Sequence, residues 1–116
     1  MKAYQRLVEE ASSLADPVRL SEDCVSGEVG SALLTVEGNI YTGVSISCAC
    51  GIGFCGEHSA VAEMLKHRES RIKAIVAVGS NRRIIPPCGR CRELIYQVNP
   101  ANKVTDVIVA EDEVDK

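Results

Sequence analysis

The chain has 116 residues, enough for one compact domain with a modest core and too few for two. Its 46% hydrophobic content suits a globular chain, and a net charge of -3 with thirteen scattered Lys and Arg residues leaves no electrostatic footprint for a phosphate backbone or an anionic membrane. The expected partner is a small molecule, with no nucleic acid and no membrane.

The first residues carry charges at Lys2, Arg6, Glu9 and Glu10, which interrupt any apolar core of a secretory signal, and no stretch reaches transmembrane length. This predicts a cytoplasmic protein. Ala3, Tyr4, Leu7, Val8, Ala11, Leu14 and Ala15 recur at three- and four-residue steps, the stripe of an amphipathic helix that ends near Asp16-Pro17. After an irregular stretch through Gly27, the run GSALLTVEGNIYTGVSIS reads as two β-rich segments joined at Glu37-Gly38-Asn39, a hairpin.

Cys55 to about His67 is a second helix with Ala60, Val61, Met64 and Leu65 on one side. Lys73 to Gly79 is a nearly continuous apolar run, as expected of a strand covered on both faces. A third helix runs from Cys88 to about Val98, stopped by Asn99-Pro100, and Val104 to Ala110 reads as another buried strand. Strand, helix, strand, helix, strand is the order of a layered α/β domain. No repeat, linker or boundary divides residues 1–116, so a single domain is expected, with the acidic end EDEVDK as a solvated tail.

Six cysteines would suit a disulfide framework in an exported protein; in a reducing compartment they read as metal ligands, catalytic thiols or small buried side chains. Pro87 delivers Cys88 to a helix start, and the spacing to Cys91 lets both sulfurs reach one ion. Cys55 opens the other helix. If the two helices lie side by side, three thiols meet at N-termini whose orphan N–H groups and positive dipole ends favour thiolate, and three soft anionic ligands select zinc. Three protein ligands leave the fourth tetrahedral position for water, and Glu57, two residues past Cys55, is placed to face that water as a proton shuttle. The alternatives are a structural clasp closed by Cys48 or Cys50, and Glu57 as an ordinary acid in a helix's first turn.

Cys55-Gly56-Glu57, apolar Ala60-Val61, a gap, Pro87-Cys88-x-x-Cys91 and apolar Ile95 together resemble the zinc-dependent cytidine deaminase family in its small three-cysteine branch, with YTGVSIS and PCGRCREL similar to both cytidine deaminase and blasticidin-S deaminase. The resemblance implies a three-layer α/β/α fold with a central mixed sheet, a zinc cofactor, and hydrolytic deamination of a cytosine nucleoside or a related aminopyrimidine. It implies that Glu57 carries protons to the ring nitrogen and to the departing amine, while backbone N–H groups at Gly56 and beyond hold the ring carbonyl.

Where the family places an asparagine and a glutamate that hold the ribose, this chain has Ser45 and Ser47, and the loop from Cys48 to Phe54 is where a different substrate would be accommodated. Phe54 either walls the ring or packs in the core. Cys48 and Cys50 are expected in the pocket wall, and Cys24 as a buried small residue. His58 either donates weakly to the thiolates or lies on the helix surface; Arg90 and Arg92 either offset thiolate charge or are simply exposed. Relatives run on past the last strand into a segment that helps close the pocket, so a homotetramer closing the site between subunits is expected. The rival reading is a non-catalytic zinc-binding module.

Overall fold

Residues 3–49 and 52–109 are described by the structure, a computed structural model. Helix α1 (Ala3–Leu14) leads through β1 (Val18–Ser21) to the long strand β2 (Cys24–Thr35), which turns into β3 (Ile40–Cys48); α2 (Gly56–Lys66), β4 (Ile72–Gly79) and α3 (Gly89–Val98) follow, then a 3₁₀ turn (Pro100–Val104) and β5 (Asp106–Val107). β2 is the hub of the sheet. One edge pairs with β3, while the other pairs first with β1, at Cys24 to Ser26, and then with β4, from Val29 to Thr35. These pairings are antiparallel, whereas β4 and β5 run parallel, so the sheet is mixed.

The period-two alternation of the strands separates two apolar faces. Ala32, Leu34, Ala74, Val76 and Val78 point to one side and pack with Leu7, Ala11 and Ala15. Leu33, Tyr41 and Ile75 point to the other and pack with Ala60, Val61, Met64 and Ile95 of α2 and α3. The result is the expected three-layer α/β/α fold. Close approach of α2 to β3 depends on Gly43, where a Cβ would lie 2.5 Å from the Ala60 nitrogen.

The hairpin is where the sequence places it, with Gly38 at φ 93° in the turn. Two expectations are corrected. The stretch read as irregular forms β1 and the first residues of β2, because Val18 to Ser26 pair through their backbones although all four β1 side chains are exposed and show no apolar alternation. The last strand, expected from Val104 to Ala110, is only Asp106–Val107; its expected first residue, Val104, closes the 3₁₀ turn, which Asn99 caps by accepting from the Ala101 N–H. Ala110 lies outside the described residues.

A polar clamp ties the hairpin turn to the start of β4. Glu69, 8% exposed, accepts hydrogen bonds at Oε2 from the Tyr41 hydroxyl and from Asn39 Nδ2. Thr35, Tyr41 and Asn39 hold its carboxyl down at about 2, while the neighbouring Glu37 is raised by its hydrogen bond with Glu69. A folded-state value below the unfolded one, about 4.3, means that the clamp stabilises the fold above the unfolded value and that this contribution fades as pH falls toward 2. Urea unfolding of wild type and Glu69→Gln should therefore differ most at neutral pH, with the gap narrowing between about pH 4 and 2. A gap independent of pH would show that the ionised carboxylate is not what holds the turn.

Candidate metal centre

Local backbone brings the three thiols together. After the loop that follows β3, Phe54 pairs back onto Ile46 through both of its backbone groups at 2.9 Å, and the next residue, Cys55, is the N-cap of α2. Cys88 is likewise the N-cap of α3, delivered by the extended Pro86-Pro87 segment, and Cys91 sits one turn on, fully buried. The Cys55 and Cys88 sulfurs lie 3.6 Å apart, as do those of Cys88 and Cys91, and all three fall within 4.8 Å of one another. Sulfurs bound tetrahedrally at ~2.3 Å stand ~3.8 Å apart, so the cluster has the dimensions and soft donor set that zinc takes.

Two opposing effects act on these thiols. The Cys91 N–H at the first turn of α3 lowers Cys88, and the other thiols add to this. Burial raises Cys55 and Cys91, with Glu57 adding repulsion at both. A cation at the centre would reverse the logic, because it stabilises every thiolate at once. Glu57, 5% exposed, stands beside the cluster; burial raises its carboxyl, opposed by its own backbone N–H and by the Cys91 thiol. A buried carboxyl whose ionised form is disfavoured, set beside three thiols, is a functional-site candidate.

A cavity of about 670 Å³ opens over the cluster and is lined by Ser45, Ser47, Phe54, Cys55, Gly56, Glu57 and Cys88 among others. Seven of the residues expected at the site thus line one cavity, and the eighth, Cys91, lies in the sulfur cluster beside it. Their states differ: Ser45 is buried and its Oγ accepts a 3.0 Å hydrogen bond from the Val29 N–H, whereas Ser47 is exposed. Phe54 is 37% exposed, its ring 6.4 Å from that of His58. His58 is half-buried, with Nε2 unpartnered among the described residues, and burial followed by the Arg90 charge lowers its pKa. Arg90 and Arg92 are exposed, and Arg90 lines the cavity.

Cys48 also lines the cavity; Cys50 lies outside the described residues. Cys24 is half-buried rather than buried: it is the first residue of β2, opposite Cys48 at the end of β3, the two sulfurs 3.9 Å apart. Sequence reasoning missed Glu28, Ile85 and Pro86, which complete the walls. Nothing in their local pattern marks them: they reach the cavity through a strand irregularity and a loop, neither of which has a periodic signature.

A three-layer α/β/α domain with a three-cysteine cluster and a buried carboxylate at the starts of two adjacent helices defines a zinc-binding class of protein. Residues 1–109 match the family described as the cytidine and deoxycytidylate deaminase zinc-binding region, and the chain belongs to that family. Zinc is accordingly its cofactor. A cytidine deaminase of Halalkalibacterium halodurans is 33% identical over 76 residues, 65% of this chain and 58% of the relative. Blasticidin-S deaminase of Bacillus cereus is 32% identical over 81 residues, 62% of this chain and 58% of the relative. The chain thus spans less than two thirds of these curated relatives. The crystal structure of cytidine deaminase from Mycobacterium leprae superposes with a TM-score of 0.76 at 24% identity, covering 92% of this chain and 87% of that one, a likeness of fold.

Replacing Cys88, the exposed member that touches both other sulfurs, with serine removes a soft donor while keeping the side chain's size. Elemental analysis of Cys88→Ser should show zinc content well below that of wild type, with a lower melting temperature because metal binding contributes folding energy. Undiminished zinc would remove Cys88 from the ligand set.

Proposed function

We propose that the protein is a zinc-dependent hydrolytic deaminase, replacing the exocyclic amine of a cytosine nucleoside or related aminopyrimidine with a carbonyl and releasing ammonia, with zinc held by Cys55, Cys88 and Cys91. The observation that carries this reading is the buried Glu57 carboxyl beside the three sulfurs on the floor of an open cavity. When bound, zinc supplies a Lewis acid that brings the pKa of a coordinated water from about 15.7 to about 7. Glu57 would take a proton from the attacking water and place it on the ring nitrogen as the new C–O bond forms, then carry the proton of the resulting hydroxyl to the exocyclic amine, so that the C–N bond breaks, ammonia leaves and the carbonyl remains. Backbone N–H groups at the start of α2, from Gly56 on, would hold the ring carbonyl, Phe54 would lie against the ring, and Ser45 and Ser47 line the same cavity.

Blasticidin-S-type deamination is the second reading, supported by the similarity to the Bacillus cereus enzyme and by the short side chains of Ser45 and Ser47. A non-catalytic zinc module accounts less well for a carboxylate buried against the cluster. Among the described residues no helix is long and apolar enough to cross a membrane. We further read residues 1–116 as one domain of a cytoplasmic enzyme of pyrimidine salvage that acts on small molecules and not on nucleic acid. Its assembly is read as a homotetramer, a reading supported by the cavity's openness and by the exposed apolar side chains of Ile52, 79% exposed, and Val104, 72% exposed.

Two measurements test this. Glu57→Gln keeps the side chain's size and hydrogen-bonding end but cannot titrate, so ammonia release from the best of cytidine, deoxycytidine, cytosine and blasticidin S should fall by ~10²–10⁴-fold or more. Zinc content should stay unchanged; turnover within a few-fold of wild type would remove Glu57 from proton transfer. Light scattering at micromolar concentration should give about four times the 12.5 kDa chain mass, and a clean monomer would count against assembly.

A further inference from the structure

Glu28 and Val29, which line the cavity, belong to an irregularity in β2. Between Ser26, which pairs with Ile46, and Gly30, which pairs with Val44, β2 carries Gly27, Glu28 and Val29 against the single residue Ser45 of β3. This is a bulge, and bulges beside active sites re-aim side chains. Gly27 makes it possible: its φ is +83°, and a Cβ there would lie 2.6 Å from the Asp16 carbonyl oxygen.

Both flanks of the bulge are held. The Val29 N–H donates to Ser45 Oγ at 3.0 Å, and the Glu28 carbonyl accepts from the Ser80 N–H at 3.0 Å. Glu28 is thereby fixed by its backbone while its side chain is exposed and lines the cavity. Among the described residues the Glu28 carboxylate has no hydrogen-bond or ion-pair partner, although the other two charged residues lining the cavity have surroundings of their own: Glu57 is beside the thiols and Arg90 is on α3.

We infer that Glu28 is the residue that reads the substituent on the substrate's ring, accepting hydrogen bonds from a proton-donating group, hydroxyl or ammonium, and that Ser45 is a positioning residue that holds the bulge presenting it. This rests on the deaminase reading, since it takes the ring to sit over Glu57 and Cys55 with its substituent toward Glu28, which lines the same cavity. A carboxylate has only acceptors to offer, and its charge strengthens each bond it accepts. Ser47 also lines the cavity, but a short neutral hydroxyl gives no comparable preference. The Ser45 hydroxyl already accepts from Val29.

The test is binding, measured by calorimetry on the zinc-loaded, turnover-silenced Glu57→Gln protein, with three ligands that share the ring: 1-methylcytosine, which has no donor in its substituent, cytidine, which has hydroxyls, and 1-(2-aminoethyl)cytosine, which has an ammonium. At least one donor-bearing ligand should bind about tenfold tighter than 1-methylcytosine. Adding Glu28→Ala should erase that advantage while leaving 1-methylcytosine within about twofold, and Ser45→Ala should reduce the same advantage without selectively weakening 1-methylcytosine. Glu28→Gln separates the sources: it retains part of a hydroxyl preference and loses an ammonium preference. An advantage that survives Glu28→Ala, or no advantage in the parent, overturns the inference and leaves the deaminase reading intact. If none of the three ligands binds, the aminopyrimidine reading itself fails, and the role of Glu28 with it.

Discussion

Two helices in this fold begin on cysteines that do not cap them. Neither Cys55 nor Cys88 makes a side-chain hydrogen bond to the free N–H groups that follow it, at positions where serine, threonine or aspartate would stabilise a helix by roughly 0.5–2 kcal/mol. The sequence forgoes both caps and gains two thiols aimed at the same point. A cation held between them would compensate for this arrangement, because thiolates at helix starts complement the dipoles of α2 and α3 only once their mutual repulsion is neutralised. Metal and fold would then be coupled at the first turns of two helices that cover one face of the sheet.

That coupling explains why the rest of the architecture is arranged around the sheet's second face. Leu33, Ile75 and Tyr41 give α2 and α3 a common apolar floor, so the two helix starts are fixed relative to one another by packing rather than by the metal alone. Gly43 brings α2 close to β3, and the backbone pairing of Phe54 with Ile46 sets where Cys55 leaves the loop. A three-sulfur cluster of 4.8 Å span thus rests on contacts spread over four segments. Preorganisation of this kind is what a catalytic metal site requires, since displacements near 1 Å already cost rate.

The parts legible in the sequence were those with a period or a chemical signature. The stripe of α1, the hairpin turn at Gly38 and the apolar run of β4 were readable because each buries a regular face, and the paired cysteines because few chemistries other than metal binding use that spacing. β1 was not readable: its side chains are all exposed, so backbone pairing alone makes it a strand. The last strand reads longer than it is because Val104 and the apolar Val107 to Val109 suggest one continuous strand, whereas Val104 closes the 3₁₀ turn capped by Asn99 and the ladder with β4 holds only Asp106 and Val107. Cys24 showed no pattern, for its neighbour Cys48 lies 24 residues away and meets it only through the register of β2 on β3.

The bulge at Gly27 to Val29 lies where β2 changes neighbours, from β1 before it to β4 after it. Core residues Ala32, Leu33 and Leu34 come only after the register has been restored at Gly30, so the packed part of the strand does not depend on which side chain stands at 28. Rigid elements hold the sulfurs and Glu57, whereas the opposite wall is carried by a strand segment with no role in the core. On the proposed reading, reaction chemistry and substrate choice fall to different segments of one cavity, which meet where Gly56 at the start of α2 packs close to the Val29 carbonyl. A scaffold divided like this can change its wall with little loss of stability, which is how one fold comes to serve several related substrates.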